Sequence, residues 1–322
     1  MNSSYSSGAL KRTDTLQTSF KKAVILLSGG LDSATTLAIA KSAGYTCYAL
    51  SCSYGQRNKH ELNSAKLVAE SIKVERHIVL NSDLSIFGGS ALTSDIEVPK
   101  GRTEEELSHG VPVTYVSARN TVFLSLALAW TEVFEATDIF IGVNALDYSG
   151  YPDCRPNYIR AFEDMANLAT RLAIEDHRKI RIRAPLIDLS KSQIIQRGIE
   201  LGVDYGITNT CYDPKNGGRP CRDCDACHLR EKGFSEAGHI DPLALFFILI
   251  VKKALSSTDN SLEREFTSAE ISLTSKLVTY LKRWYACVPI SDNIIDGPHI
   301  FLSSLHFKTA DSFFLLIPTV KP

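Results

Sequence analysis

The sequence predicts an α/β fold, a doubly wound parallel sheet carrying a loop built on four cysteines and an extra C-terminal segment. Three observations predict it. Strand and helix signals alternate from Lys22 onward, the pattern of β-α units that pack as a parallel sheet with helices on both faces. A glycine turn, Ser28-Gly29-Gly30-Leu31-Asp32-Ser33, joins the first strand to the first helix. Four of the eight cysteines crowd between Cys211 and Cys227, at a spacing that suits metal.

Each element follows from local pattern. Ala23-Val24-Ile25-Leu26-Leu27 is a short apolar run and reads as a buried strand, and residues 34–41 after the turn read as a helix. A buried strand, a glycine turn and a helix N-terminus make an anion site. Small residues let backbone N–H groups approach a phosphate, and the helix dipole favours its charge. The Walker pattern G-x-x-x-x-G-K-[ST] is absent from this turn. Residues 45–52 read as a second strand, 59–72 as a helix with Leu62, Ala65, Leu67, Val68 and Ile72 on one face, and 76–80 as a third strand. Residues 81–118 are rich in Gly, Ser, Pro and charge, and a loop of that length in a compact domain is expected to be functional, a lid or binding segment. The stretch 120–136 is apolar on nearly every face and predicts a buried helix, and 138–143 a central strand. Helical spacing of Ile159, Phe162, Met165, Leu168, Ala169 and Leu172 predicts one helix over 157–175. A strand over 181–186 follows, then a helix over 191–201 capped by Ser190 and ended by Gly202. Ligands of such sheets sit beyond the carboxyl ends of the strands, so Ser28, Gly55 and Asn144 should meet on one rim.

The 322 residues allow one large domain, or one domain with appendages. An apolar content of 44% with 22% charged residues is that of a soluble globular protein. A net charge of −1 gives no electrostatic case for a nucleic-acid or membrane surface, although one local cationic pocket needs no global excess. Residues 1–20 are rich in Ser and Thr and predict a disordered extension, not a secretory signal. The longest apolar run, 243–251, is about half the length of a membrane span and predicts a buried helix or strand.

Cys211-x9-Cys221-x2-Cys224-x2-Cys227 supplies four thiolates in a loop containing Gly and Pro. Four soft ligands suit tetrahedral zinc, and four thiolates leave no position for water, so such an ion is structural. An iron–sulfur cluster or unmetallated thiols are the other readings of the spacing. Clustered cysteines in an enzyme-like chain point to a reducing compartment, by default the cytoplasm. Cys154 and Cys287 read as packed small hydrophobes. The histidines, His60 and His77 among them, show neither a paired metal spacing nor a nucleophile partner.

The turn at residues 28–33 resembles the SGGxDS pyrophosphate loop of the ATP-pyrophosphatase (PP-loop) enzymes. With both motifs present, the chain resembles the 7-cyano-7-deazaguanine synthase family, the nitrile-forming enzymes of the queuosine pathway. The resemblance runs over 22–242. It includes Tyr54-Gly55-Gln56-Arg57, Tyr115-Val116-Ser117-Ala118-Arg119-Asn120, the stretch 142–155, Thr210-Cys211-Tyr212, the stretch 221–230, and Lys232-Gly233-Phe234. Family members commonly read Pro-Gly-Arg-Asn or Pro-Ala-Arg-Asn where this chain has Ser117-Ala118-Arg119-Asn120. The tail 243–322 matches no part of the family pattern, and its role is open.

The resemblance implies an adenine nucleotide α-hydrolase-like sheet and a reaction of 7-carboxy-7-deazaguanine, ATP and ammonia. It implies structural Zn²⁺, Mg²⁺ with the ATP, and a homodimer. A carboxylate is a poor electrophile, and attack on the α-phosphate of ATP makes one oxygen a leaving group. Ammonia then displaces AMP to give an amide, and a second activation lets elimination give the nitrile. ATP would lie on Leu27, Ser28, Gly29, Gly30, Leu31, Asp32, Ser33, Ala34, Thr35, Thr36 and Leu37, with Asp32 either orienting the loop or helping to place Mg²⁺. Charge building on phosphate needs cations, for which Arg57, Arg119 and Lys191 are candidates beside the reading of each as a solvated surface charge. Asp32, Arg119 and Lys191 are thus the candidate catalytic residues, and Arg57, Asp147, Asp153 and Arg155 the candidate substrate contacts. Asp147 and Asp153 would meet the aminopyrimidine edge of the base, or cap a turn. Tyr54 or Tyr148 would stack on a base, or pack in the core. Two rival readings are a tRNA-modifying adenylase, which needs a basic face, and a zinc-ribbon interaction module on a degenerate nucleotide fold.

Overall fold

The computed structural model describes residues 21–103, 106, 110–145 and 150–244. The expected extension at 1–20 and all but the first two residues of the expected extension at 243–322, with most of the apolar run 243–251, lie outside the described residues, as do Asp147, Tyr148 and Cys287. The chain divides into two units, 1–253 and 254–322, and the described residues belong to the first.

Five parallel strands form the sheet: β1 (Lys21–Leu26), β2 (Tyr45–Ser53), β3 (Arg76–Asn81), β4 (Asp138–Phe140) and β5 (Arg181–Arg183), in spatial order β3-β2-β1-β4-β5. Ile25 of β1 aligns with Ala49 on one side and Phe140 on the other. The order therefore reverses at β1, and the crevice between β1 and β4 is where a doubly wound sheet binds its ligand.

Alternation along β1 builds two cores. Val24 and Leu26 face a layer made by α3 (Arg119–Val133) and α4 (Pro156–Ala169), with Leu124, Leu128, Ile159 and Phe162. Ala23, Ile25 and Leu27 face α1 (Leu31–Ser42) and α2 (His60–Ile72), with Ala34, Leu37, Ala65 and Val68. A strand buried on both faces reads as an unbroken apolar run, which is the pattern at 23–27. The predicted helix over 191–201 is α6 (Lys191–Glu200), where Ser190 accepts from the Gln193 N–H in a full capping box. α7 (Asp225–Glu236) starts after Cys224, carries Cys227 in its first turn, and packs with α6 through Ile195 and Phe234.

Two helices differ from expectation. The stretch predicted as one helix over 157–175 breaks at Thr170, which is extended (φ −113°, ψ 142°), and restarts as α5 (Arg171–Ile174). The Glu132 carboxylate accepts from the N–H groups of Arg171 and Leu172 at 2.6 and 3.4 Å, satisfying the new N-terminus while Leu172 turns into the core. α3, read as buried on all sides, buries one stripe only: Asn120, Leu124, Ala127, Leu128 and Thr131 are buried, whereas Ser125, Ala129 and Val133 are exposed. Its outward residues are small or aliphatic, so composition alone hid the polarity of the helix. The fifth strand is shorter than 181–186 because Pro185 has no N–H for the ladder.

Candidate active site

The loop after β1 is shaped by its own hydroxyls. Ser33 Oγ accepts from the Ser28 and Gly29 N–H groups, each at 3.2 Å, and donates to the Gly30 carbonyl at 3.0 Å. Gly29 has φ +93°, and a Cβ there would lie 2.3 Å from the Glu61 carbonyl and 2.4 Å from the Ala65 nitrogen, so only glycine lets α2 approach. The first intrahelical bond of α1 runs from the Ala34 N–H to the Gly30 carbonyl. The N–H groups of Leu31, Asp32 and Ser33 thus have no acceptor within the helix and add to its positive end.

A cavity opens over this turn, at the carboxyl ends of β1, β2 and β4. Its lining includes Ser28, Asp32, Tyr54, Glu61, Arg119 and Tyr151. The rim convergence holds for Ser28 and the residues beside Gly55. Asn144 instead turns inward, where its side-chain amide donates to the Leu189 carbonyl. Within the loop, Leu27, Ser28, Gly30, Leu31, Asp32 and Ser33 line the cavity. Ala34 and Leu37 lie in the core behind it, and Thr35 bonds the Tyr205 hydroxyl at 2.7 Å. The Thr36 hydroxyl is buried without a partner among the described residues.

The candidate catalytic residues split into a pair and a neighbour. Lys191 Nζ donates to both oxygens of Asp32, at 2.8 and 2.9 Å, with only 8% of the lysine and 15% of the aspartate side chain exposed. Lys191 therefore orients the Asp32 carboxylate and does not itself line the cavity. Arg119, the first residue of α3, does line it. Its guanidinium donates to the Tyr54 hydroxyl at 3.2 Å and lies 5.5 Å from the centre of that ring. The Ala118 that precedes it has φ +52°, which aims the start of α3 into the cavity.

The candidate substrate contacts fare unequally. Arg57 lines the cavity, and its guanidinium also donates to the Ser94 and Ile96 carbonyls, at 2.8 and 3.0 Å, holding the long loop over 82–118. Asp153 is buried and accepts from the Asn120 N–H at 2.9 Å, at the start of α3, and does not line the cavity. Arg155 is exposed at the N-cap of α4 and does not line the cavity. Asp147 lies outside the described residues.

Glu61 was not singled out by sequence reasoning. It lies on the first turn of α2, 33 residues after Ser28, where its acid group reads as an ordinary helix-start residue. The fold brings its carboxyl against the Ser28 hydroxyl and near Arg119. Burial pushes its pKa up to about 7, against the lowering pull of Arg119 and of the Ser28 hydrogen bond. The signal that could have found it is proximity to Tyr54-Gly55-Gln56-Arg57, the segment that carries the chain from β2 across the cavity.

The four cysteines of the loop at 211–227 are buried, with their sulfurs all within 4.8 Å of one another. Backbone N–H groups of Cys221, Cys224 and Tyr212 donate to the Sγ atoms of Cys211, Cys221 and Cys224, at 3.2, 3.4 and 3.5 Å. Such a set could hold one metal ion, since a Zn–S bond of about 2.3 Å spaces tetrahedral sulfurs at about 3.8 Å. A cluster attaches its thiolates to different irons and needs them farther apart. The loop also touches the cavity. Asn209 N donates to the Gly29 carbonyl at 3.0 Å, Asn58 Nδ2 donates to the Cys211 carbonyl at 2.8 Å, and Thr210, Cys211 and Tyr212 line the wall. Cys52 and Cys154 also line it, but burial pushes both thiols up to about 12, so they are not nucleophiles at neutral pH.

The family profile described as "Queuosine biosynthesis protein QueC" matches residues 22–238. A protein of Desulfatibacillum aliphaticivorans named 7-cyano-7-deazaguanine synthase is 63% identical over 222 residues, which cover 69% of this chain and 95% of the relative. Relatives of the same name from Syntrophus aciditrophicus and Pseudomonas fluorescens are 60% and 57% identical, over 69% and 73% of this chain and 96% and 100% of their own lengths.

Proposed function

The chain belongs to the QueC family of queuosine biosynthesis proteins, and on that premise we propose how its cavity works. It is an ATP-dependent enzyme of queuosine biosynthesis that forms 7-cyano-7-deazaguanine, the product its relatives are named for. The substrate in this reading is 7-carboxy-7-deazaguanine, and the nitrogen comes from ammonia. The observation that carries the reading is the meeting of a phosphate-binding turn, a guanidinium and a carboxyl in one cavity at the strand-order reversal.

The triphosphate, entering as its Mg²⁺ complex, would lie against the first turn of α1, where N–H groups and dipole favour negative charge. Arg119, aimed over the same cavity, offsets charge that builds as the carboxylate oxygen attacks the α-phosphate and pyrophosphate leaves. Ammonia displaces AMP from the acyl adenylate to give the amide. The amide oxygen is then adenylated in the same place, and AMP leaves a second time as the nitrile forms. One anion site serves both rounds because the reacting carbon does not change. Tyr54 and Tyr151 are aromatic walls for the deazaguanine ring.

Cys211, Cys221, Cys224 and Cys227 would hold Zn²⁺, which supplies a cross-link and no chemistry, since four thiolates close its shell. Cytoplasmic residence and a homodimer complete the reading; no described helix is long and apolar enough to cross a membrane. Incubation of the protein with 7-carboxy-7-deazaguanine, Mg²⁺-ATP and ammonium, followed by mass spectrometry, tests it. The nitrile is expected, with AMP, and is expected to be lost in Asp32→Ala. Folded protein that forms no nitrile overturns the reading.

A further inference from the structure

Among the described residues, two carboxyl groups line the cavity, Asp32 and Glu61. Both Asp32 oxygens accept from Lys191, which fixes that group as a buried ion pair. Glu61 is differently placed. It is partly exposed, faces the cavity from the first turn of α2, and touches the Ser28 hydroxyl at the mouth of the phosphate-binding turn. Nothing in the activation of a carboxylate by ATP requires a base, because the attacking oxygen already carries the charge. The nitrogen chemistry does require one. Nitrogen enters as NH₃ and leaves as C≡N, so three N–H protons must depart for every product molecule.

We infer that Glu61 is the general base of nitrile formation, accepting the N–H protons at its side-chain carboxylate. The inference rests on the reading of the cavity given above. In the first round, the nitrogen lone pair attacks the acyl carbon. The C–N bond forms, the C–O bond to AMP breaks with its electron pair leaving on the phosphate oxygen, and one proton passes to Glu61. In the second round, the adenylated amide nitrogen carries two protons. Their removal frees two electron pairs: one makes the third C–N bond as the remaining C–O bond breaks and AMP departs with its pair, and the other stays as the nitrile nitrogen's lone pair. Glu61 lines the cavity, so it can pass each proton to water there before the next arrives.

Its surroundings suit the task. The charged or titratable groups acting on Glu61 are Arg119 from α3 and Tyr54 from the end of β2, while Ser28 donates to it from the turn after β1. Burial raises its pKa to about 7, where a group both takes and releases protons at neutral pH. The other acids of the wall are poorer candidates, since Tyr54, Cys52 and Cys154 are each pushed up to about 12.

The test uses the full chain and two readouts. Exchange of labelled pyrophosphate into ATP, with 7-carboxy-7-deazaguanine and without ammonium, reports adenylation alone. Nitrile formation at a fixed concentration of free ammonia, measured from pH 5.5 to 9, reports the whole reaction. Glu61→Gln is expected to keep the exchange within about threefold while nitrile formation falls by about 10²–10⁴-fold and loses its acid limb near pH 7. Glu61→Asp is expected to recover part of the rate and the limb. Loss of exchange and nitrile together in a folded Glu61→Gln protein, or no loss of either, overturns the inference. If Glu61→Gln does not fold, the wild type decides: nitrile formation must fall below pH 7 while exchange holds, and parallel profiles overturn the inference. A wild type without exchange contradicts the cavity reading itself, which is a separate outcome.

Discussion

Lys191 and Asp32 sit on different elements, 159 residues apart, and each is the other's neutralising charge in a largely buried place. Removing one partner strands the other. Lys191→Ala is expected to cost about 3 kcal/mol, seen as a lower urea midpoint with an unchanged slope. Ala118 is a second local strain, at φ +52° without a glycine's freedom. Ala118→Gly is expected to stabilise by roughly 0.5–1 kcal/mol in the same assay. Glu61 links structure to pH. Its folded pKa of about 7 stands above its ordinary 4.5, so from pH 4.5 to 7 the folded state holds a proton that the unfolded state has lost. Stability therefore falls as pH rises through that window. Glu61→Gln removes the penalty, so its melting temperature should exceed that of the wild type at pH 8 and converge on it near pH 4.5. At this scale the glycine turn after β1 was legible as a motif because its residues are contiguous. Glu61 was not, because its role comes from the packing of α2 on Gly29 and from burial, and neither leaves a local pattern.

At the scale of elements, the four-cysteine loop anchors the long loop over 82–118. Arg102 pairs with Asp225 at the start of α7, Lys100 with Asp213 at 3.0 Å, and the Gly101 N–H donates to the Asp223 carbonyl at 3.1 Å. Arg57, bound to Ser94 and Ile96, also approaches Asp213 at 3.7 Å. A segment with little periodicity is thus held by charges borrowed from a segment whose four cysteines could hold a metal ion. Stripping the metal with a chelator is expected to expose both loops to limited proteolysis at 82–118 and 211–227. The far-UV circular dichroism of the sheet and its helices should change little. Cleavage confined to 211–227 would mean that the anchoring is weaker than its ion pairs imply. The strands and most helices were readable because buried parallel strands are unbroken apolar runs. The break at Thr170 and the exposed side of α3 were not, because both depend on tertiary partners, Glu132 in one case and the sheet in the other.

At the scale of the molecule, the strand order places the only reversal of the described sheet beside the glycine turn that lines the cavity, so fold and candidate site have one origin. The family match ends at residue 238, and the curated relatives are covered nearly end to end by 222–235 residues of this chain. Within the matched span, Arg230 reaches just beyond it, donating to both Asp241 oxygens at 2.7 and 2.8 Å, and also to Thr208 Oγ1 and the Tyr205 carbonyl, a buried clasp on the last matched helix. A chain ending at 244 keeps that clasp and is expected to retain nitrile formation within about threefold of the full chain; an inactive but folded truncation would assign the tail a role in the reaction.

The central claim is that one cavity activates the same carbon twice, each time through AMP. Substrate labelled with ¹⁸O in both carboxylate positions tests it most directly, by mass spectrometry of the nucleotides released as the nitrile forms. Two molecules of AMP per nitrile, each carrying one ¹⁸O, is the predicted result. Label in inorganic phosphate with ADP as the nucleotide, or a single labelled AMP per nitrile, would contradict it.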